Sequence, residues 1–250
     1  MITPRRGQNL TYSIAQDLGI AIVTETYSDQ SRFPVEAELC RRYGVSRSIL
    51  REAVKMLTAK GLLSSRPRQG TWIQKEDKWN LLDPDVLRWT LERKFSFSLL
   101  IEFMQVRLAV EPKAAALAAA NAHPDEKAAI SHAIQQMIDS ERQQEDPLEP
   151  DIAFHVAILR ASGNRFFAQL SELIETALRF SIRMTNRQTG VRSVPEHKAI
   201  SDAIAAGQAT QAERAMEALI VAALAEVRKA EIAGSPRARI RGLKAQASHP

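Results

Sequence analysis

The segment from Glu36 to Leu57 restricts the fold of this chain more than any other stretch. Its first part has the spacing of a short helix, and Gly44 is a good place for that helix to end, because glycine adopts the left-handed conformation without a steric penalty. Ser46 is a good N-cap for a second helix. The apolar face of the second helix is formed by Ile49, Leu50, Ala53, Val54 and Leu57. Two helices joined by a three-residue turn predict a helix-turn-helix.

A basic hairpin is expected directly after this motif. Residues 62–66 and 71–74 are two short strand candidates, and the sequence RPRQG between them predicts a tight basic turn. Ahead of the motif, one helix face is predicted by apolar residues spaced four apart: Leu10, Ile14, Leu18 and Ile22. Helices followed by a two-stranded basic hairpin predict a winged helix-turn-helix within residues 1–75.

The rest of the chain is predicted to be helical. Helices are expected over residues 81–92, 97–121, 125–143, 148–161, 164–186, 194–206 and 208–231. No convincing strand pattern interrupts them, so residues 76–233 are predicted to form an all-α bundle. Residues 234–250 are basic and lack apolar periodicity, which predicts a disordered tail. The expected fold class is therefore mainly α, a winged helix-turn-helix followed by a helical bundle.

Charge is distributed unevenly along the chain, whose net charge is +5. Residues 1–75 contain 12 Lys and Arg against 6 Asp and Glu, whereas residues 76–233 contain 18 against 23. A basic first third joined to an acidic remainder indicates a polyanionic partner for the N-terminal part. A random imbalance of charge is the alternative.

Composition argues against several classes of protein. A single cysteine, Cys40, excludes an intramolecular disulfide framework and a thiolate metal cage. No apolar run approaches the roughly 20 residues needed to span a bilayer. The N-terminus is polar and basic and does not resemble a signal peptide. We therefore expect a cytoplasmic protein with no membrane partner.

The second helix of the motif carries the residues expected to read DNA. Its N-terminal end would enter the major groove, and Arg47 and Arg51 are four residues apart, so they project from one face. Arginine can bind the two acceptor atoms of guanine with both arms of its guanidinium. Further contacts to phosphates or bases are expected from Arg41, Ser48, Arg68, Gln69 and Gly70. The alternative is that these side chains only keep a helix and a turn solvated.

These residues resemble the winged-helix domain of GntR-type transcription regulators. The resemblance covers about residues 10–74 and is carried above all by VSRSILREAVKMLTAKGLL. The remainder resembles the all-helical ligand-binding domain of the FadR subfamily, called FCD, in the segments RLAVEPKAAALAAA, DIAFHVAIL and EHKAISDAI. The segment WNLLDPDVLRWTLE is similar to repressors of sugar-acid operons of the galactonate type.

The resemblance implies a homodimer that binds a palindromic operator in double-stranded DNA, with Arg47 and Arg51 at the bases. The chain departs from the family at Ala37, where an Arg is often found, so one DNA contact is expected to be missing. The resemblance also implies a repressor that is released from DNA by a small organic acid, with a sugar acid favoured.

Arg107 is a candidate for binding that acid. It stands in an otherwise apolar stripe formed by Leu100, Phe103, Val110 and Ala114. A buried guanidinium is costly unless it is paired. Its partner could be Glu111, four residues on, or a ligand carboxylate, which suits the planar guanidinium fork. The resemblance favours the ligand, because RLAVEP matches the family's effector-facing Arg. Arg183 could supply a second cation or face solvent.

Asp151, His155 and His197 are candidates for a metal site. The first two are four residues apart on one expected helix. A carboxylate and two imidazoles make a three-ligand site with open positions, suited to zinc first and also to manganese, nickel or iron. Histidines hydrogen-bonded in a core, or direct binding of the effector by these groups, are the alternatives. The resemblance implies a fourth ligand, a His, where this chain has Leu219.

Two other functions compete with the regulator. A metal-dependent enzyme could use Asp151, His155 and His197, but the sequence shows no separate nucleophile or base. A DNA-architectural protein would use its second domain only to dimerise, which leaves Arg107 and the two histidines without a purpose. We therefore expect a regulator without enzymatic activity.

Overall fold

The computed structural model describes residues 9–27, 33–66, 70–93, 96–189 and 194–234. The chain divides into two compact units, residues 1–95 and residues 96–250. This division lies beyond the boundary expected after residue 75, because the first long helix past the hairpin packs within the first unit. Residues 235–250 of the expected tail lie outside the described residues.

The first unit has the elements that the sequence predicts. Its helices and strands are α1 (Leu10–Val23), α2 (Glu36–Tyr43), α3 (Arg47–Ala59), β1 (Leu63–Arg66), β2 (Gly70–Ile73) and α4 (Pro84–Arg93), with a short 3-10 helix at Glu76–Lys78. The strands are antiparallel, with Leu63 opposite Ile73. The predicted winged helix-turn-helix is thereby confirmed.

The turn between α2 and α3 forms for the reasons that its residues predict. Gly44 has a φ of 66°, the left-handed conformation that lets α2 end without strain. Ser46 caps α3, because its side chain accepts a hydrogen bond from the backbone N–H of Ile49. The left-handed backbone of Gly44 and the side-chain cap of Ser46 therefore define the turn between α2 and α3.

The core of the first unit lies between α1 and α3 and under the hairpin. Leu50, Ala53 and Leu57 bury one face of α3, and Ile14 and Leu18 meet them from α1. Burying each leucine or isoleucine side chain stabilises the fold by roughly 1.5–3 kcal/mol. The opposite face of α3 is left on the surface, where it can meet a partner.

The described part of the second unit is helical, as predicted. Its helices are α5 (Phe97–Asn121), α6 (Pro124–Gln143), α7 (Leu148–Ala161), α8 (Arg165–Gln169), α9 (Ser171–Thr189), α10 (Val194–Ala205) and α11 (Ala209–Gly234). The single helix expected over 164–186 was wrong, since α8 ends at Gln169 and α9 begins at Ser171. The other helix bounds agree with the expected ones to within about three residues.

Helix α5 forms the centre of the second unit. It packs most extensively on α11 and also contacts α7, α9 and α10. Small residues at Ala114, Ala115 and Ala118 are fully buried and allow the close approach of these helices. Among the described residues, no helix combines the length and the apolarity needed to cross a bilayer.

Candidate DNA-contacting and buried polar sites

The exposed end of α3 carries the residues predicted to read DNA. Arg47, Ser48 and Arg51 all lie on the surface of the first unit, as does Arg41 on α2. Ser48 Oγ lies 2.9 Å from Ser46 Oγ, so it is hydrogen-bonded beside the cap. The fold thus leaves these predicted contacts accessible on the two helices of the motif.

Arg51 is held by an acidic partner that the sequence analysis did not single out. Its Nε donates to Glu36 Oε1 at 2.6 Å and its Nη2 donates to Glu36 Oε2 at 3.3 Å. The hydrogen bond and charge of Glu36 raise the pKa of Arg51 further above its ordinary value. The two residues are 15 apart and lie on different helices, so spacing within one helix could not predict this pair.

The wing is described only in part. Gly70 begins β2 with a φ of 94°, a conformation that L side chains rarely adopt. Arg68 and Gln69, which were predicted to contact DNA, lie outside the described residues. Their contribution stays a prediction.

The second unit contains a buried polar cluster formed by three helices. Arg107 and Glu111 come from α5, Asp151 and His155 from α7, and His197 from α10. Four of these five side chains are at most 4% exposed, and Asp151 is 13% exposed. The structure brings together the effector candidate Arg107 and all three metal candidates, which the sequence considered separately.

Arg107 pairs with the acidic residue that was one of its two expected partners. Its Nε donates to Glu111 Oε1 at 2.6 Å and its Nη2 donates to Oε2 at 3.2 Å. Nη2 also lies 3.5 Å from both ring nitrogens of His155. Nη1 lies 3.6 Å from the sulfur of Met104, which is a weak acceptor. The Nη1 amino group can therefore still donate to a ligand.

Asp151 lies between the two imidazoles. One of its carboxylate oxygens, Oδ1, is 3.4 Å from His155 Nε2 and 3.3 Å from His197 Nε2. The other ring nitrogen of His155, Nδ1, is 2.6 Å from Glu111 Oε2. The hydrogen bonds and ion pairs therefore form one chain from Arg107 to His197.

Both carboxylates of the cluster are ionised at neutral pH. Burial alone would raise the pKa of Glu111, but the positive charges of Arg107 and His155 outweigh it and lower the pKa to about 2. Burial is likewise outweighed at Asp151, where His197 and hydrogen bonds from both imidazoles lower the pKa. Burial would lower the pKa of His155, but Glu111 and Asp151 raise it. Since an ionised carboxylate only accepts, His155 Nδ1 donates to Glu111.

The donor set fits a divalent metal ion. The ligand atoms of Asp151, His155 and His197 all lie within 4.8 Å of one another. Two ligands bound at about 2.1 Å to a tetrahedral ion lie about 3.4 Å apart, close to the distances from Asp151 to both imidazoles. Arg107 and the two carboxylates sum to one negative charge, which a cation or an imidazole proton can balance.

Two contributions to this cluster were missed by the sequence analysis. Glu111 was weighed only as a partner of Arg107, yet it also orients His155, as the outer carboxylate does in metal sites. Phe154 is fully buried and packs edge-on against both His155 and His197, with ring centroids 5.5 and 5.1 Å away. The only available signal was that Glu111 follows Arg107 by one helical turn.

Two other predicted positions add no described ligand atom to the cluster. Arg183 lies on α9, but its side chain falls outside the described part of the chain. Leu219 lies half-buried on α11 and has no ligand atom. Within the described residues the cluster therefore offers three metal ligands.

Comparison with known families assigns both units. Residues 10–73 match the model of bacterial regulatory proteins of the gntR family. Residues 102–222 match the FCD domain. The first match covers the winged helix-turn-helix, and the second covers every residue of the buried polar cluster.

Known relatives match along most of the chain. The galactonate operon transcriptional repressor of Escherichia coli is 35% identical over 215 residues, which cover 85% of this chain and 94% of the relative. The HTH-type transcriptional regulator YieP of the same organism is 32% identical over 215 residues, covering 85% and 93%. The solved structure of Lar from Listeria monocytogenes has the same fold, with a TM-score of 0.59 at 17% identity, covering 90% of this chain and 99% of Lar.

Proposed function

The chain belongs to the GntR family of DNA-binding transcriptional regulators and carries an FCD domain, and on that premise we propose that it is a repressor controlled by a small carboxylate. In this proposal it binds a palindromic operator as a homodimer, through Arg47 and Arg51 of α3 and through the wing. A sugar acid binds in the second unit and releases the protein from DNA. Because both relatives are named as transcriptional regulators, they support a regulator rather than an enzyme.

The observation that carries the effector proposal is the buried Arg107 beside a cluster of metal-ligand type. A pure dimerisation bundle would gain more from apolar residues there, because burying ion pairs costs desolvation. Among the described residues, Nη1 of Arg107 donates to the sulfur of Met104 at 3.6 Å, a weak acceptor that a ligand carboxylate could replace. A guanidinium edge is well suited to a carboxylate. The sugar acid itself is supported by the name of the galactonate repressor.

We include a divalent metal in the proposal, with Asp151, His155 and His197 as its ligands. Glu111 would hold His155 in the tautomer whose Nε2 can ligate, because Nδ1 carries the proton donated to Glu111. When bound, the cation would supply open coordination positions for acid and hydroxyl oxygens. Zinc fits the two-imidazole, one-carboxylate set best, with manganese, nickel or iron as alternatives.

Release from DNA follows if the acid binds more tightly to the form of the protein that does not bind DNA. A ligand shifts an equilibrium only by its differential affinity for the two states. A coupling of roughly 1–3 kcal/mol would change the operator affinity by about 5- to 150-fold. Arg107, which is fixed by Glu111, is the residue through which the acid would gain that differential affinity.

The test is calorimetric titration of zinc, and then of a panel of aldonates that includes galactonate, into the purified protein. We expect zinc to bind at one site per chain in wild type and far more weakly in His155→Gln. His132→Gln is the matched control, because His132 lies exposed on α6 away from the cluster.

Arg107→Met tests the acid separately from the metal, since methionine fills similar space without charge. We expect zinc still to bind this variant, while aldonate binding weakens at least tenfold. Equal zinc affinity in wild type and His155→Gln would contradict the metal proposal. Aldonate binding that is unchanged in Arg107→Met, or absent from wild type, would contradict the effector proposal.

A further inference from the structure

The pair between Glu36 and Arg51 lies on the surface of the first unit that is exposed for DNA. Glu36 is the first residue of α2, and Arg51 is in the second turn of α3. Their side chains are 35% and 66% exposed, so water and a DNA duplex can both reach them. Ion pairs so exposed contribute little to stability, because solvent screens them and ordering the two long side chains costs entropy. Stability therefore gives little reason for this pair.

The geometry of the pair dictates which edge of Arg51 can face DNA. A guanidinium has a side edge, formed by Nε and one Nη, and an end edge, formed by the two Nη atoms. Glu36 occupies the side edge, at 2.6 Å from Nε and 3.3 Å from Nη2. Nη1 and the second hydrogen of Nη2 remain directed away from Glu36. The end edge is itself a fork that matches the paired acceptors of guanine.

The charge of Glu36 adds a second effect. Its carboxylate is held at the N-terminus of α2, where the helix dipole favours a negative charge. A carboxylate at a DNA-facing surface repels phosphates, and its pairing neutralises the long-range attraction of Arg51 for them. An unpaired Arg51 would bind any phosphate, because phosphate contacts carry no sequence information.

We propose that Glu36 is a specificity-determining residue that orients Arg51 for base recognition and suppresses its contacts to DNA of unrelated sequence. The inference rests on the proposed function, because it takes α3 to read an operator. Charge complementarity alone would not suggest this role, because Glu36 and DNA are both negatively charged.

The test compares Glu36→Gln with wild type on two duplexes. One is a sequence enriched by wild-type protein from a randomised library, and the other is a shuffled sequence of equal length and composition. We expect Glu36→Gln to bind the shuffled duplex a few-fold more tightly and to lose about tenfold in the ratio of the two affinities. The salt dependence on the shuffled duplex should steepen by about 0.9 in log–log slope, for one added phosphate contact.

Glu38→Gln is the matched control. Glu38 lies on the same helix and is exposed, so its substitution removes the same charge without touching Arg51. It should change both affinities alike and keep their ratio. In an Arg51→Ala background, Glu36→Gln should have no further effect on the ratio, because the residue that it orients is gone. Both side chains lie at the surface, so the substitutions leave the buried core of the first unit in place.

Different failures have different meanings. If wild type enriches no sequence at all, the proposed DNA-reading function fails and the inference falls with it. If wild type is selective and Glu36→Gln is equally selective, the function stands and the inference is wrong. A loss of selectivity that is as large in Glu38→Gln, or that persists in the Arg51→Ala background, would also overturn it.

Discussion

The ring of Trp89 packs so closely on α1 that it leaves room only for glycine at position 19. A Cβ atom at Gly19 would lie 2.3 Å from the Trp89 ring, far inside van der Waals contact. Trp89 is 1% exposed, so its ring has no room to move aside. Because Gly19 has no side chain, the indole of Trp89 on α4 can pack against α1.

Gly19→Ala should destabilise the first unit. Alanine is favoured over glycine inside a helix by roughly 1 kcal/mol, but overpacking a buried site costs typically 1–3 kcal/mol. We expect the steric term to prevail, with a net loss of about 1 kcal/mol in the free energy of unfolding. Urea titration followed by tryptophan fluorescence measures this, because all three tryptophans lie in residues 1–95.

Trp89→Leu supplies the internal control, since it removes the ring that the new methyl group would meet. Gly19→Ala in that background should be neutral or stabilising. A Gly19→Ala cost that is equal in both backgrounds would contradict this account of the contact.

Helix α4 packs on the rest of the first unit through ion pairs and hydrogen bonds as well as through Trp89. Lys60 Nζ, at the end of α3, lies 2.7 Å from Asp83 Oδ2 and 3.0 Å from Asp85 Oδ2. The other oxygen of Asp85 accepts hydrogen bonds from Tyr12 at 2.7 Å and from Arg88 at 2.6 Å. The side chains of Lys60, Asp83 and Asp85 are 13–21% exposed, so solvent screens these interactions only in part. The cluster joins α1, α3 and α4.

Asp85 should make the first unit sensitive to acid. Burial alone would raise the pKa of Asp85, but hydrogen bonds from Tyr12 and Lys60 and nearby positive charges outweigh it and lower the pKa. The resulting stability is present above the pKa of an unfolded aspartate, about 3.9. It is lost as the pH falls through the lower native pKa.

Asp85→Asn is therefore expected to be about 2 kcal/mol less stable than wild type at pH 7. The difference should shrink as the pH falls below about 4, because the unfolded chain binds a proton at this aspartate there while native wild type does so only at lower pH. Urea unfolding by tryptophan fluorescence between pH 3 and pH 7 measures both effects. Asp77→Asn, at an exposed side chain, should match wild type throughout. A stability difference between Asp85→Asn and wild type that is independent of pH would contradict this account.

The secondary structure was predictable where one local rule dominates. The end of α2 at Gly44 and the start of α3 at Ser46 follow from left-handed glycine and from side-chain capping, which involve only neighbouring residues. The break between α8 and α9 was missed, because no Gly or Pro marks Leu170. The placement of α4 was also missed, since its docking depends on contacts with α1 and Lys60 that are distant in sequence.

The polar cluster was predictable only as separate pieces. Spacing by four residues placed Asp151 with His155 on α7, and Arg107 with Glu111 on α5. Periodicity within one helix carries no information about which helices meet. The contact between Glu111 and His155, 44 residues apart, therefore emerged only from the fold.

The two units divide the tasks of the whole molecule. The first unit contains the residues proposed to contact DNA, together with every tryptophan and every tyrosine of the chain. The second contains the buried cluster, and its residues 96–233 carry 14 Lys and Arg against 18 Asp and Glu. Two separate sites do not make a regulator by themselves, because acid binding at one site must change DNA binding at the other. That coupling is the central claim about the whole chain.

The most direct test of the claim is a fluorescence-anisotropy titration of the full chain on its own upstream DNA, at near-physiological salt, with and without each aldonate. The account predicts saturable binding in wild type, a fall to the affinity for unrelated DNA in Arg51→Ala, and a weakening of at least fivefold by one acid. That weakening should be absent in Arg107→Met, which should still bind the DNA. Operator binding that every acid leaves unchanged, or that an acid weakens equally in Arg107→Met, would contradict it.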